Sequence, residues 1–289
     1  MAENPQQNAP GGASEPLKIY FLPNLLTAGN LFCGFVALTK IVQADLTPDA
    51  VTGVVNWYPI KFALAAILLA CIFDLFDGRV ARMGGHESPF GREFDSLADL
   101  VSFGVAPAFL VHRVVLRGAL PDEYAELGWF IASIYLICGA FRLARFNCLS
   151  AMNLPGAGKD FLGFPIPSAA GLVASLTLLI IHANEKEKSL GHWGYLLPAV
   201  LVFLSAMMVS EVRYPSFKGL GLRSTTTFLK LVIAALFVGL LIILKEKILY
   251  YVLPLFFTGY LIYGFVRPRI SRAWRREIEE DDDEPGTGE

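Results

Sequence analysis

The sequence predicts an all-α polytopic membrane helix bundle of about eight transmembrane helices, with both termini on the cytoplasmic side. Three observations carry that expectation. Hydrophobic residues make up 54% of the 289-residue chain, more than an ordinary soluble domain carries. They fall into apolar runs of about 17–25 residues, long enough for a helix to cross the hydrocarbon core. Lys and Arg gather in alternate connections between those runs, the asymmetry that orients a membrane protein. The net charge of -2 hides this segregation of signs.

Taken in order, residues 1–16 are rich in Pro, Gly, Asn and Gln and hold no Lys or Arg. They predict a disordered N-terminal tail rather than a cleavable signal. Leu17 to Tyr20 suit a short interfacial segment before Pro23, whose ring fits a first helical turn. Helices are predicted over 23–43, 59–81, 91–116, 128–148, 164–182, 194–211, 227–245 and 248–266. Residues 17–226 thus make a core of six transmembrane helices, 227–266 adds two C-terminal ones, and 267–289 is a tail that turns from basic to acidic. Arg79, Arg82 and Arg92 flank the connection after the second helix. Arg142, Arg145 and Lys159 follow the fourth, Arg213, Lys218 and Arg223 the sixth, and Arg267 to Arg276 the eighth. Gln43 to Tyr58, by contrast, has no basic residue. The basic side is the cytoplasmic one. Cys33, Cys71, Cys138 and Cys148 show no C-x2-C pairing and read as small packing residues.

One stretch departs from this apolar plan. Between Phe73 and Asp99, four carboxylates, Asp74, Asp77, Asp95 and Asp99, stand at the inner ends of two apolar segments. Acids near hydrocarbon cost a few kcal/mol each, about 2.5–3.5 at a helix centre, and therefore mark a functional site by default. The spacings i, i+3 and i, i+4 put each pair on a single helix face, so two acidic faces can converge. Arg79 and Arg92 point away from those faces, which leaves Arg82, and one arginine does not neutralise four acids. Hard divalent cations with oxygen ligands do, and two magnesium or manganese ions match the count. Gly78, Gly84, Gly85 and Gly91 let the backbone approach a bulky ligand closely. The alternative at this point is an ion-paired helix hairpin.

The string D-x2-D-G-x2-A-R-x8-G-x3-D-x3-D is filled at every fixed position, by Asp74, Asp77, Gly78, Ala81, Arg82, Gly91, Asp95 and Asp99. It resembles the signature of the CDP-alcohol phosphotransferase family. The resemblance implies that 17–226 is the phosphotransferase core and that two divalent ions, Mg2+ or Mn2+, sit on Asp74, Asp77, Asp95 and Asp99. It implies that Gly78, Ala81, Arg82 and Gly91 line the nucleotide site and that Asp99 takes the proton from the attacking hydroxyl. CDP-diacylglycerol is then the phosphatidyl donor, with its acyl chains in the bilayer. It also suggests a homodimer, although no G-x3-G pattern within a helix points to an interface.

The acceptor is read from other segments. FDSLADLVSFGVAPA, GAFRLARFN, FLGFPIPSAAG, SEVRYPSFK and LPNLLTAGNLFCGF each lie at a predicted cytoplasmic end. Together they resemble the serine-accepting branch of the family, the phosphatidylserine synthases, over roughly Leu22 to Lys218. L-Serine brings a carboxylate and an ammonium, and Arg142, Arg145 and Asn147 offer guanidinium and amide donors. The same arginines also suit lipid phosphate, or serve only as positive-inside determinants. Asn24 and Thr27 either hydrogen-bond ligand or cap and pack the first helix. Other acceptors, namely inositol phosphate, glycerol phosphate or choline, stay open, as does a divalent-cation transporter, which the apolar outer halves of the second and third helices disfavour. The expected setting is a prokaryotic inner (cytoplasmic) membrane with the site facing the cytoplasm and no nucleic-acid partner.

Overall fold

The computed structural model describes residues 20–51, 53–83, 88–116, 125–152, 160–185, 196–215 and 245–266. Helix α1 (Phe21–Gln43) packs most extensively on α2 (Tyr58–Met83). The third span opens with α3 (Pro89–Asp99), continues through a π-helical turn (Leu100–Val105) and α4 (Ala106–Val111), and ends in a second π-helical turn (His112–Leu116). Then come α5 (Ala125–Ala151), strand β1 (Asp160–Leu162), α6 (Ile166–Glu185), α7 (Leu196–Val209), strand β2 (Arg213–Pro215) and α8 (Lys245–Val266). Among the described residues, five spans, Phe21–Gln43, Tyr58–Ala81, Pro89–Val114, Glu126–Ala151 and Ile166–Glu185, are long and apolar enough to cross a membrane. Leu196–Val209 and Tyr250–Val266 are shorter apolar helices. The helix expected at 227–245 lies outside the described residues up to Lys245, which opens α8, and so do the tails 1–16 and 267–289.

Apart from α3, which carries the acids on one face, the helices are apolar on nearly every face, as a membrane bundle requires. Ile41, Ile60, Leu64 and Ile67 are fully buried where α1 meets α2. Phe32, Phe35, Leu69, Ile72 and Phe141 point outward, where hydrocarbon rather than water would meet them.

The third span is not the uniform helix that its apolar pattern suggests. Pro107 has no amide hydrogen, so an α-helical frame leaves the Phe103 carbonyl without its usual donor. The buried Tyr135 hydroxyl donates to that carbonyl at 3.1 Å, while the Ala106 amide reaches back five residues to Val101. Such π turns recur at functional sites, and this one begins directly after Asp99.

A two-stranded antiparallel ribbon adds a small element to the helices, pairing Phe161 with Tyr214. Gly163 sits at φ +78, and a Cβ there would come 2.8 Å from the Arg145 guanidinium and collide with the Met208 carbonyl. Only glycine combines that conformation with that closeness. The rings of Phe164, Tyr214 and Tyr260 meet edge-on or tilted with centroids 5.2 to 5.8 Å apart and fasten α8 to the ribbon. Burial pushes the Tyr214 phenol up to about 12, so it remains a neutral donor to the Leu261 carbonyl at 3.4 Å.

Candidate active site

The site forms where the last turns of α2 approach the start of α3. Ser88 sets that start: its hydroxyl accepts the Gly91 amide at 3.0 Å and Pro89 occupies the first turn. Gly91 faces α1, since a Cβ there would lie 3.4 Å from Asn24 Oδ1. Helix α3 then carries Asp95 and Asp99 one turn apart, opposite the pair on α2.

One carboxylate oxygen each from Asp74, Asp95 and Asp99 lies within 4.8 Å of the others, a group able to hold a metal ion. Asp99 is 6% exposed and Asp77 is 4% exposed. Asp95 Oδ1 is buried and has no hydrogen-bond partner among the described residues. A buried carboxylate oxygen left so, beside two more acids, fits a hard cation. Asp77 stands one turn beyond Asp74, its Oδ2 accepting from the Thr27 hydroxyl at 2.9 Å. On the other side, Arg142 is 6% exposed, lies 5.7 Å over the Phe146 ring, and its charge acts on Asp95 and Asp99.

The remaining residues singled out in the sequence divide into two groups. Gly78 and Ala81 are half-buried in the final turns of α2, which Arg82 extends; the Arg82 side chain lies outside the described residues. Asn147 turns its amide to Ser96 Oγ at 3.0 Å and to Glu93 at 3.3 Å, tying α5 to α3. Arg145 spends its terminal nitrogens on the carbonyls of Val209, Leu162, Met208 and Ser210, at 2.9 to 3.2 Å. It thereby caps the C-terminal end of α7.

Sequence reasoning missed Asn30. This fully buried residue donates from Nδ2 to Asp99 Oδ1 at 3.0 Å. The signal was available, because Thr27 and Asn30 are polar residues at i, i+3 in an otherwise apolar helix.

Residues 20–209 match the CDP-alcohol phosphatidyltransferase family. The chain belongs to that family. The resemblance read from the aspartate motif is thus borne out. A CDP-diacylglycerol–serine O-phosphatidyltransferase of Helicobacter pylori is 34% identical over 250 residues, covering 86% of this chain and 91% of the relative. That of Bacillus subtilis is 34% identical over 198 residues, 68% of this chain and 92% of the relative. An archaetidylserine synthase of Methanothermobacter thermautotrophicus is 31% identical over 203 residues, covering 69% and 72%. In this CDP-alcohol phosphatidyltransferase the family match ends at the last residue of α7, so β2 and α8 lie beyond it.

Proposed function

We propose that this chain transfers the phosphatidyl group of CDP-diacylglycerol to the hydroxyl of L-serine, giving phosphatidylserine and CMP. The convergence of Asp74, Asp95 and Asp99 within 4.8 Å carries the reading, and the names of the relatives direct it to serine. Two divalent ions, magnesium or manganese, held by Asp74, Asp77, Asp95 and Asp99, would supply Lewis-acid stabilisation of the pyrophosphate and of the charge growing on departing CMP.

The chain's own residues do the rest. Gly78 and Gly91 leave room for the nucleotide, with Ala81 and Arg82 completing its wall, while the acyl chains stay among the helices. Asp99 accepts the proton of the serine hydroxyl as its oxygen bonds to the phosphatidyl phosphorus. The bond from that phosphorus to the CMP oxygen breaks, and CMP leaves with the electron pair. A carboxylate is a weak base for an alcohol, so proton transfer must accompany attack. Arg142, buried and facing the acids, takes the serine carboxylate. Arg145 and Asn147 hold the pocket's walls through the bonds described above, and Asn24 and Thr27 close it from α1.

The remaining expectations form part of the same proposal: eight membrane helices, a homodimer, and a site and both termini on the cytoplasmic face of an inner membrane. Residues 17–226 are the catalytic core, followed by two helices over 227–266 and a charged tail over 267–289. Purified protein given CDP-diacylglycerol and labelled serine, inositol phosphate, glycerol phosphate or choline should release CMP with serine. Transfer to glycerol phosphate with none to serine overturns the acceptor. Single cysteines at Asp49 and Glu185 should label from outside intact cells in a background without native cysteines, and one at Arg276 should not; the reverse overturns the orientation.

A further inference from the structure

Asn30 lies on α1, two turns into the first span, and its surroundings are tightly specified. Its amide donates to Asp99 Oδ1 at 3.0 Å, and its backbone carbonyl accepts from the Ser102 hydroxyl at 2.9 Å. Ser102 is itself fully buried in the π-helical turn that follows Asp99. Gly34, one turn further along α1, admits this approach, since a Cβ there would come 2.8 Å from Ser102 Cα. One turn of α1 therefore grips the carboxylate and the backbone just after it.

The amide's other end explains why the grip is more than packing. Asn30 Oδ1 is buried and has no hydrogen-bond partner among the described residues. A buried acceptor left unpaired is a cost that an aliphatic residue of the same shape would not carry. What an asparagine offers here, and leucine does not, is the N–H directed at Asp99. Rotating the amide by half a turn would set its oxygen against the carboxylate oxygen, so the donor orientation is the one that charge favours.

We infer that Asn30 is a positioning residue for phosphatidyl transfer: its amide fixes one oxygen of Asp99, and so the rotation of that carboxylate, leaving the other oxygen aimed for the incoming hydroxyl. The inference rests on the reading of Asp99 as the proton acceptor. It assigns α1 a part in the chemistry, and Asn30 itself touches no substrate. Hydrogen-bond partners of ligating carboxylates are worth roughly 10–100-fold in affinity or activity.

The test is a pair of substitutions read separately and together. Asn30→Leu keeps the number of side-chain heavy atoms and removes the donor; Asn30→Ala serves as a smaller second variant should leucine impair folding. Either should lower kcat by roughly 10–100-fold with KM for serine and for CDP-diacylglycerol within about threefold, the split expected when only transition-state geometry suffers. Stabilisation of the purified protein by CDP-diacylglycerol at saturating magnesium should persist. Added to Asp99→Asn, the same change should cost no further turnover, because there is no base left to aim. Wild-type kcat in Asn30→Leu overturns the inference, as do loss of donor-dependent stabilisation alongside turnover and effects that multiply in the double variant. A near-wild-type Asp99→Asn instead removes Asp99 as the base and the inference with it. A crippled Asp99→Asn beside an unimpaired Asn30→Leu removes the inference alone.

Discussion

The two ends of α2 treat charge in opposite ways. In the first turn, Lys61 Nζ meets Glu185 at the end of α6 at 2.7 Å, with side chains 32% and 36% exposed. Thirteen residues on, roughly 20 Å along the axis, Asp74 joins Asp95 and Asp99 within 4.8 Å, a gathering of like charge. At the first end opposite charges meet in the open, where an ion pair contributes about 0–1 kcal/mol. At the second, acids are brought together, Asp74 and Asp95 half-buried and Asp99 buried, a repulsion that a cation would relieve. The lesson is that a helix can carry one pair that merely settles its end and one group whose repulsion prepares it to bind.

That contrast can be broken experimentally, and the largest effect lies at the acidic end. Asp95→Asn or Asp74→Asn should bring CMP release close to background, and excess chelator should do the same to the wild-type protein until magnesium or manganese is restored. Full turnover in chelator would erase the distinction between the two ends. Asp99→Asn should lower turnover by roughly 10²–10⁴-fold while CDP-diacylglycerol still stabilises the protein, whereas Asp77→Asn should weaken both. Thermal stabilisation and product formation from one preparation separate the two.

A middle case sharpens the comparison. Arg145 holds four carbonyls at the end of α7 and the ribbon, and a lysine there offers a point charge without the planar fork. Arg145→Lys should cost about 2 kcal/mol of stability by chemical or thermal unfolding, with KM for serine rising as the pocket wall loosens. An unchanged unfolding midpoint would show that the clamp is not structural. The smallest effect belongs to the exposed pair: Lys61→Met should change stability by less than about 1 kcal/mol and leave turnover unaltered.

Much of this was legible in the sequence because it follows from periodicity and charge. Among the described residues the apolar runs place the helices to within a few residues, and the i, i+3 and i, i+4 spacings bring Asp74, Asp95 and Asp99 together as the structure does. Asn30 escaped because its i, i+3 spacing from Thr27 marks a polar face on α1 without naming the partner of that face, which lies 69 residues away. The Phe103 carbonyl freed by Pro107 is met by a hydroxyl from Tyr135, a partner that no local pattern announces. The ribbon has three-residue strands, too short for any alternation to register, and is held by Gly163 at the end of its first strand and by Arg145 from α5. Arg145 itself looked like a ligand donor, since a basic residue near a cytoplasmic end gives no hint that its donors already meet carbonyls.

The site residues described here all fall between Asn24 and Asn147, whereas the seat that Phe164 and Tyr214 make for Tyr260 draws on residues that come later. A chain leaves the ribosome from its N-terminus at roughly 5–20 residues per second. The helices that bear the acids, the amide of Asn30 and the guanidinium of Arg142 thus emerge several seconds before α8 does. Position along the gene becomes an order of emergence, with the acids out first and α8 after them.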